Sequence, residues 1–223
     1  RKYINAHLNK IIKKYNYIFF RGPTGSAKTK IIEKLEKNGC PVINLEKLAN
    51  HKGSLLGKNL SSPQPSQKLF ESFLYSKLRN LNKKKSILLE SESSKIGNIF
   101  LPSGLVSRIE NSPCIDIETN LNARIEFLMK DYAMFILRKN SFKELFSYAQ
   151  LKLGSKVVNK WKNNYYKKKW ENLASQIIIE YYDPLYEHKR KKKKNTVLEY
   201  YSLENLKQNK ITKFCSYLQK KYF

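Results

Sequence analysis

An α/β fold is predicted: a mainly parallel sheet with helices on both faces, followed by a helical, basic C-terminal region. Three features of the sequence predict it. The first is Gly22-Pro23-Thr24-Gly25-Ser26-Ala27-Lys28-Thr29, preceded by apolar Tyr17-Ile18-Phe19-Phe20 and followed by an amphipathic stretch over 29–37. Strand, glycine-rich loop and helix in that order form the setting of a P-loop, so the sheet is expected to be P-loop NTPase-like. The second is the alternation of short apolar runs with helical periodicity out to residue 134, which is the pattern of a doubly covered parallel sheet. The third is a change of texture at about Phe135, after which strand signals give way to helical ones. The expected segments are a lead-in helix or linker over 1–15, a P-loop α/β core over 16–134, a helical RNA-contacting region over 135–194, and a strand and basic helix over 195–223.

Taken in order, residues 2–15 carry Ile4, Leu8, Ile11 and Ile12 at helical spacing. The P-loop would wrap successive backbone N–H groups round an anion at the positive end of the following helix. Gly22, Gly25 and Ser26 would line it, Lys28 would add a point charge, and the Thr29 hydroxyl would be placed for a magnesium ion. Ala27 stands where the pattern has glycine; if that position takes a positive φ, alanine costs roughly 1 kcal/mol there. Asn38-Gly39 stops the helix, and 41–45 form a short strand. A helical turn and a polar loop follow, in which His51 is as consistent with a surface histidine as with a ligand contact. Ser66 caps a helix whose apolar face is Leu69, Phe70, Phe73, Leu74, Leu78 and Leu81.

Residues 86–90 form a buried strand ending on Glu90. A carboxylate there fits a Walker B position, near a magnesium ion or the attacking group, although any apolar strand ending in Glu looks alike. Glu92, two residues on, points the same way and could share a metal or a proton with Glu90. A loop runs to Leu101-Pro102, then a helix to about Asn111, a strand over 114–118, and a helix capped by Asn120. Right-handed crossovers bring the strand ends at Gly22, Glu46 and Glu90 to one edge.

In the helical region, Trp170, Leu173, Ala174, Ile177, Ile178 and Tyr181 mark one apolar face. Upstream, Trp161, Tyr165 and Tyr166 adjoin Lys167, Lys168 and Lys169, a mixture that suits stacking on unpaired bases or, equally, a helical hairpin with a wet basic side. Asp183-Pro184 is expected to break the helix. The run His188-Lys189-Arg190-Lys191-Lys192-Lys193-Lys194 must be solvated and is placed on RNA phosphates. Residues 196–201 form an edge strand and 203–223 a final basic helix.

Composition narrows the partners. Lys and Arg number 44 against 18 acids, a net charge of +26. Nucleic acid is the default partner of so basic a surface, even allowing for the lysine and asparagine that an AT-rich genome encodes. No apolar run approaches the roughly 20 residues of a membrane span, and no signal peptide is apparent. Cys40, Cys114 and Cys215 are widely spaced, as reduced thiols of a cytoplasmic protein would be.

Five blocks in order resemble the tRNA 2-selenouridine synthase family. Leu45-Glu46-Lys47-Leu48-Ala49-Asn50-His51-Lys52-Gly53-Ser54 with Gly57 is similar to its L-E-x-L-A-x-H-x-G-S-x-x-G block. Pro65-Ser66-Gln67 with Phe70-Glu71 resembles P-S-Q-x-x-F-E, and Glu90-Ser91-Glu92-Ser93 with Ile96-Gly97 and Leu101-Pro102 resembles E-x-E-S…I-G…L-P. Arg124 with Asp131-Tyr132, and Tyr181-Tyr182-Asp183-Pro184-Leu185-Tyr186, complete the series. The resemblance implies S-geranylation of wobble 2-thiouridine in tRNA with geranyl diphosphate, followed by exchange of sulfur for selenium from selenophosphate. It implies that the P-loop holds a diphosphate, with a magnesium ion or a nucleotide as further possibilities, and that a dry apolar slot holds the prenyl tail. Glu46, His51, Ser54, Glu90, Glu92, Ser93 and Arg124 would line the site. It also implies a rhodanese domain carrying the catalytic cysteine, in the same parent chain ahead of Arg1 or as a separate subunit; none of the three cysteines here lies in a rhodanese-type loop. Two other readings remain. A P-loop small-molecule kinase or NTPase accounts for the loop and Glu90 but not for the ordered blocks or the charge. A non-catalytic basic RNA-binding module fits Ala27 and the missing cysteine domain.

Overall fold

The computed structural model describes residues 2–59, 61–82, 85–90, 93–138, 141–192 and 195–223. Helix α1 (Lys2–Ile12) leads into β1 (Tyr17–Arg21), the P-loop, and α2 (Lys28–Lys37). Next come β2 (Val42–Ile43), α3 (Leu45–Ala49), α4 (Gln67–Arg79) and β3 (Ile87–Glu90). A two-stranded hairpin, β4 (Lys95–Ile96) and β5 (Ile99–Phe100), precedes α5 (Ser103–Asn111), β6 (Cys114–Thr119) and α6 (Leu121–Asp131). The helical arm is α7 (Ala133–Ile136), α8 (Lys143–Leu153), α9 (Ser155–Tyr166), α10 (Trp170–Ile177), a π-helical turn over Ile178–Tyr182, and α11 (Asp183–Lys192). The chain then returns through β7 (Val197–Leu203) and α12 (Gln208–Tyr222).

Five strands form one parallel sheet in the order β2-β3-β1-β6-β7, with the P-loop strand at its centre. The central strand is buried along its whole length, as a parallel strand covered on both faces must be. Its side chains alternate between two cores. Tyr17 and Phe19 join Ile87, Leu89 and Cys114 beneath α1, α4 and α5. Ile18 and Phe20 join Leu88, Ile115 and Ile117 beneath α2 and α12. Each buried aliphatic or aromatic side chain of these layers contributes roughly 1.5–3 kcal/mol. Residues 1–15 and 195–223 therefore belong to the sheet's covering layers: Leu8 and Ile12 of α1 sit in the first core, and β7 with α12 completes the sheet edge and the second core.

Local chemistry sets the helix starts. Asn44, Ser66 and Asn120 each accept a backbone N–H from three residues on (Lys47, Leu69, Ala123), capping α3, α4 and α6. The buried residues of the third core all come from the arm, with Phe142, Leu145, Ala149, Val158, Trp161 and Leu173 at its centre and Leu56 packed against them.

The structure corrects three expectations. Asp183-Pro184 does not break the helix: Asp183 donates its N–H to Ile178 O, five residues back, and the wide turn hands over to α11, in whose first turn Pro184 needs no N–H partner. Residues 95–100, expected as loop, form the β4–β5 hairpin, whose strands are too short to show alternation. The final helix starts at Gln208, because 203 still belongs to β7.

Candidate active site

The P-loop leaves β1 at Arg21 and turns sharply into α2. A Cβ on Gly22 would stand 2.8 Å from Ser26 Oγ and 2.9 Å from Ile117 O, so only glycine fits there. Gly25 takes φ +83°, packed against Leu128 and the Arg124 carbonyl. Ala27 has φ 59° and ψ 21°, the left-handed conformation that the glycine of the pattern would supply. The chain therefore holds the P-loop shape with an alanine, at a cost of about 1 kcal/mol.

The loop's polar side chains close on the loop itself. Lys28 Nζ donates to Gly22 O at 2.7 Å, to Pro23 O at 3.1 Å and to Ser26 Oγ at 3.3 Å, while Ser26 Oγ donates to Pro23 O. Thr29 Oγ1 donates to Glu46 Oε2 at 2.7 Å. The backbone N–H of Glu46 in turn donates to Glu90 Oε1 at 2.8 Å. Gly22, Glu46 and Glu90 thus meet at one sheet edge, with buried Glu90 fixing the start of α3 and α3 presenting Glu46 to the loop. Burial pushes the Glu46 carboxyl above its ordinary range, opposed by the Thr29 hydrogen bond and by Lys28 and Lys52. Thr29 Oγ1 and the Glu46 carboxylate are hard oxygen donors side by side, a set that suits magnesium completed by water and phosphate oxygens. Among the described residues, no group of three or more His, Cys, Asp or Glu is arranged to hold a metal. Glu92 lies outside the described residues.

His51 is on the opposite wall. Its Nδ1 accepts the Gly53 N–H at 3.1 Å, so the neutral ring carries its proton on Nε2. Burial lowers its pKa below the ordinary 6.5. The ring is thereby a donor, not a base, on its free side. Ser54 Oγ lies 3.5 Å from Tyr132 Oη, and burial pushes the Tyr132 hydroxyl up to about 12. Ser93 Oγ donates to Lys95 O at the mouth of the hairpin.

Arg124 is buried. Its Nε donates to Thr24 O at 2.8 Å, and its two terminal nitrogens grip Asp183 at 2.6 and 3.0 Å. It ties the P-loop to the first turn of α11. A second tie lies beneath it. Arg21 and Asp116 are register partners on β1 and β6, and Arg21 Nε and Nη2 both donate to Asp116 Oδ2, at 3.0 and 2.7 Å. Tyr186 of α11 donates to the other carboxylate oxygen at 3.0 Å. Burial and the Asp116 charge push that phenol well above its ordinary value, so it stays a donor.

Two cavities meet here. A polar cleft of about 1350 Å³ runs from Gly22, Thr24 and Lys28 outward between the loop over 51–65 and α8 and α11. An apolar slot is lined by Leu128, Met129, Ile136, Trp170, Leu173 and Ile177. Thr24, Ser54 and Tyr182 line both. The helical face that starts at Trp170 packs on α6 and forms this slot. The basic residues separate: Lys189 and Arg190 line the cleft, Lys191 is exposed and Lys192 closes α11, whereas Lys167, Lys168 and Lys169 form the exposed turn between α9 and α10 and are not among the residues that line the cleft. Lys193 and Lys194 lie outside the described residues. Trp161 is fully buried, with its indole N–H on Glu180, and Tyr165 packs among Phe142, Phe146 and Trp170, so neither offers a free ring face.

A family model described as the tRNA 2-selenouridine synthase AAA domain matches residues 15–152. The chain belongs to this family. The matched AAA segment runs from just after α1 to near the end of α8 and contains Gly22, Glu46 and Glu90. Among curated relatives, the tRNA 2-selenouridine synthase of Nitrosomonas europaea is 32% identical over 137 residues, which is 60% of this chain and 35% of the relative. That of Bdellovibrio bacteriovorus is 36% identical over 138 residues, 60% of this chain and 36% of the relative. That of a Sulfurovum species is 26% identical over 227 residues, 89% of this chain and 60% of the relative. The chain thus spans between about a third and three fifths of the length of these relatives.

The AAA-domain blocks mix site and scaffold. Gln67 clamps the Phe100 backbone through both ends of its amide, and Gln64 bridges Ala49 O, Ile96 O and Asn98 N. Sequence reasoning missed Arg21, Asp116 and the role of Tyr186. The one available signal was a base ending one apolar strand and an acid in the middle of another, where neither has reason to be unless paired.

Proposed function

We propose that this chain is the P-loop, tRNA-binding part of a tRNA 2-selenouridine synthase, which S-geranylates wobble 2-thiouridine and serves the later exchange of sulfur for selenium from selenophosphate, together with a rhodanese domain. One observation carries the reading: the anion cradle opens directly onto an apolar slot, with Thr24, Ser54 and Tyr182 at the junction. A prenyl diphosphate has this bipartite chemistry; a nucleoside triphosphate, with ribose and base behind its phosphates, does not.

In the proposed reaction, the diphosphate lies on the backbone N–H groups of 22–29, and Lys28 leaves its carbonyl partners to meet it. The thiouridine sulfur attacks the first prenyl carbon. A carbon–sulfur bond forms, the carbon–oxygen bond breaks, and the diphosphate keeps the electron pair. The charge growing on the leaving oxygen is met by dipoles already in place, the strongest form of electrostatic catalysis. The ring N3 proton must leave as the carbon–sulfur bond forms, and it passes to water in the polar cleft. Thr29 and Glu46 would hold a magnesium ion, which would supply further charge neutralisation. His51 serves as an Nε2–H donor. Arg124 and Glu90 act on the site through Thr24 and Glu46.

Calorimetric titration tests this. The chain should bind geranyl diphosphate more tightly than ATP, and Lys28→Ala should weaken the prenyl ligand at least about tenfold, the effect of one lost charge-assisted contact, with tRNA affinity unchanged. ATP turnover without prenyl diphosphate binding would replace this reading with a kinase or NTPase, and RNA binding alone would leave a non-catalytic module.

A further inference from the structure

The cleft is larger than a diphosphate needs, and its outer half has a composition of its own. At about 1350 Å³ it exceeds the roughly 300–1,000 Å³ of small-molecule sites. Three tyrosines line it in series. Tyr148 of α8 is 43% exposed and meets Tyr181 edge-on at 6.4 Å; Tyr181 meets Tyr182 edge-on at 5.0 Å. Tyr182 lies at the junction with the P-loop and the apolar slot. Lys189, exposed on α11, and Lys58, exposed in the loop after His51, line the same cleft as this series, and no salt bridge engages either among the described residues. Arg190 is already committed to Asp116 and Glu187, and the acids on the walls are Glu110 and Glu144.

We propose that the outer cleft is a channel for single-stranded RNA: an unpaired base stacks on Tyr148, Lys189 and Lys58 hold the flanking phosphates, and the neighbouring nucleotide is delivered past Tyr181 to Tyr182 beside the P-loop. Exposed rings interleaved with cations are the recognition chemistry of unpaired strands, because every base has a face to stack and every linkage a charge to meet. A duplex cannot use Tyr148, since its bases are already stacked. The sequence pattern pointed to Trp161, Tyr165 and Tyr166 for this task; Trp161 is buried, Tyr165 is packed against Phe142, Phe146 and Trp170, and Tyr166, 77% exposed, is not among the residues that line the cleft. The channel deepens the proposed function and rests on it for the identity of the RNA, but its test does not.

The test is fluorescence anisotropy with a hairpin RNA that has an unpaired loop, against a fully paired duplex of equal length. Tyr148→Ala should weaken hairpin binding about tenfold, Tyr148→Phe should retain it, and duplex binding should not respond to either. Lys189→Ala should reduce the slope of log affinity against log salt by about 0.7, the share of one single-strand phosphate. Tyr166→Ala should bind as wild type. A Tyr148→Ala chain with wild-type hairpin affinity, or a chain that binds neither RNA, overturns the channel. Weakening by Lys168→Ala and Tyr166→Ala in its place moves the RNA to the α9–α10 turn. Titration of the same variants with geranyl diphosphate separates the two claims: prenyl binding can fail while the Tyr148 effect stands, and the reverse.

Discussion

The P-loop corner and the helical arm are built on different principles. The corner hangs on pairings between strands far apart in the chain: Phe20 beside Glu90 on one side and Ile115 on the other, with helices over both faces. The arm is held by neighbours, as α8 packs on α9, α9 on α10, and α10 runs into α11 through the wide turn. Its own core touches the α/β layers mainly through α10 on α6, and polar ties join α11 to them: Asp183 to Arg124 of α6, and Tyr186 and Arg190 to Asp116 of β6. The corner is thus set in place by the whole sheet, whereas the arm is a packed unit with its own core, fastened through α10 and a few polar ties of α11. A leaving group demands the first kind of construction, because its dipoles must not reorganise. A macromolecular substrate is better served by the second.

The strongest challenge to that contrast is Trp161→Ala. Emptying the centre of the arm's core and leaving Glu180 without its indole partner should cost roughly 3–5 kcal/mol, with amide exchange rising across α8–α11 while Phe19 and Phe20 stay protected. Equal loss of protection in β1 would mean that the two regions unfold as one. Next is Arg124→Ala, expected to cost about 2–3 kcal/mol in urea melts, since Asp183 loses a bidentate partner but keeps partial access to water. Its exchange signature should appear on both sides of the tie, at Thr24 and in α11; a change in α11 alone would show that the loop holds itself. The smallest effect is a titration. The folded chain keeps His51 neutral below pH 6.5, where the unfolded chain takes up a proton, so this residue's stabilising contribution is full above 6.5 and fades as pH falls. Nuclear magnetic resonance of the ring should give a midpoint below 6.5 and the Nε2–H tautomer; the opposite tautomer would return His51 to the possible bases.

What the sequence disclosed follows the range of the forces involved. The P-loop, the caps at Ser66 and Asn120 and the buried strands were legible because each is written within a few residues. The meeting of Glu46 with Glu90 followed from topology alone. The Arg21–Asp116–Tyr186 chain was marked only by charges set in apolar strands, and which partners they take was not legible, since its members are 95 and 70 residues apart. Pro184 misled for the opposite reason: its local rule is strong, and a widened turn just upstream satisfies it without a break.

The last strand has a consequence for how the molecule comes into being. Helix α2, which begins inside the P-loop, is covered by Phe214, Cys215 and Leu218 of α12, and β6 finds its outer partner only in β7. During translation the residues that seal this helix emerge nearly two hundred residues after the phosphate loop. Until 195–223 have left the ribosome, Ile31, Leu35 and Ile117 face water or a chaperone. A message cut short before that point would yield a chain with every residue of the motif and no closed layer behind it, so that the integrity of the far segment governs whether the near one is ever used.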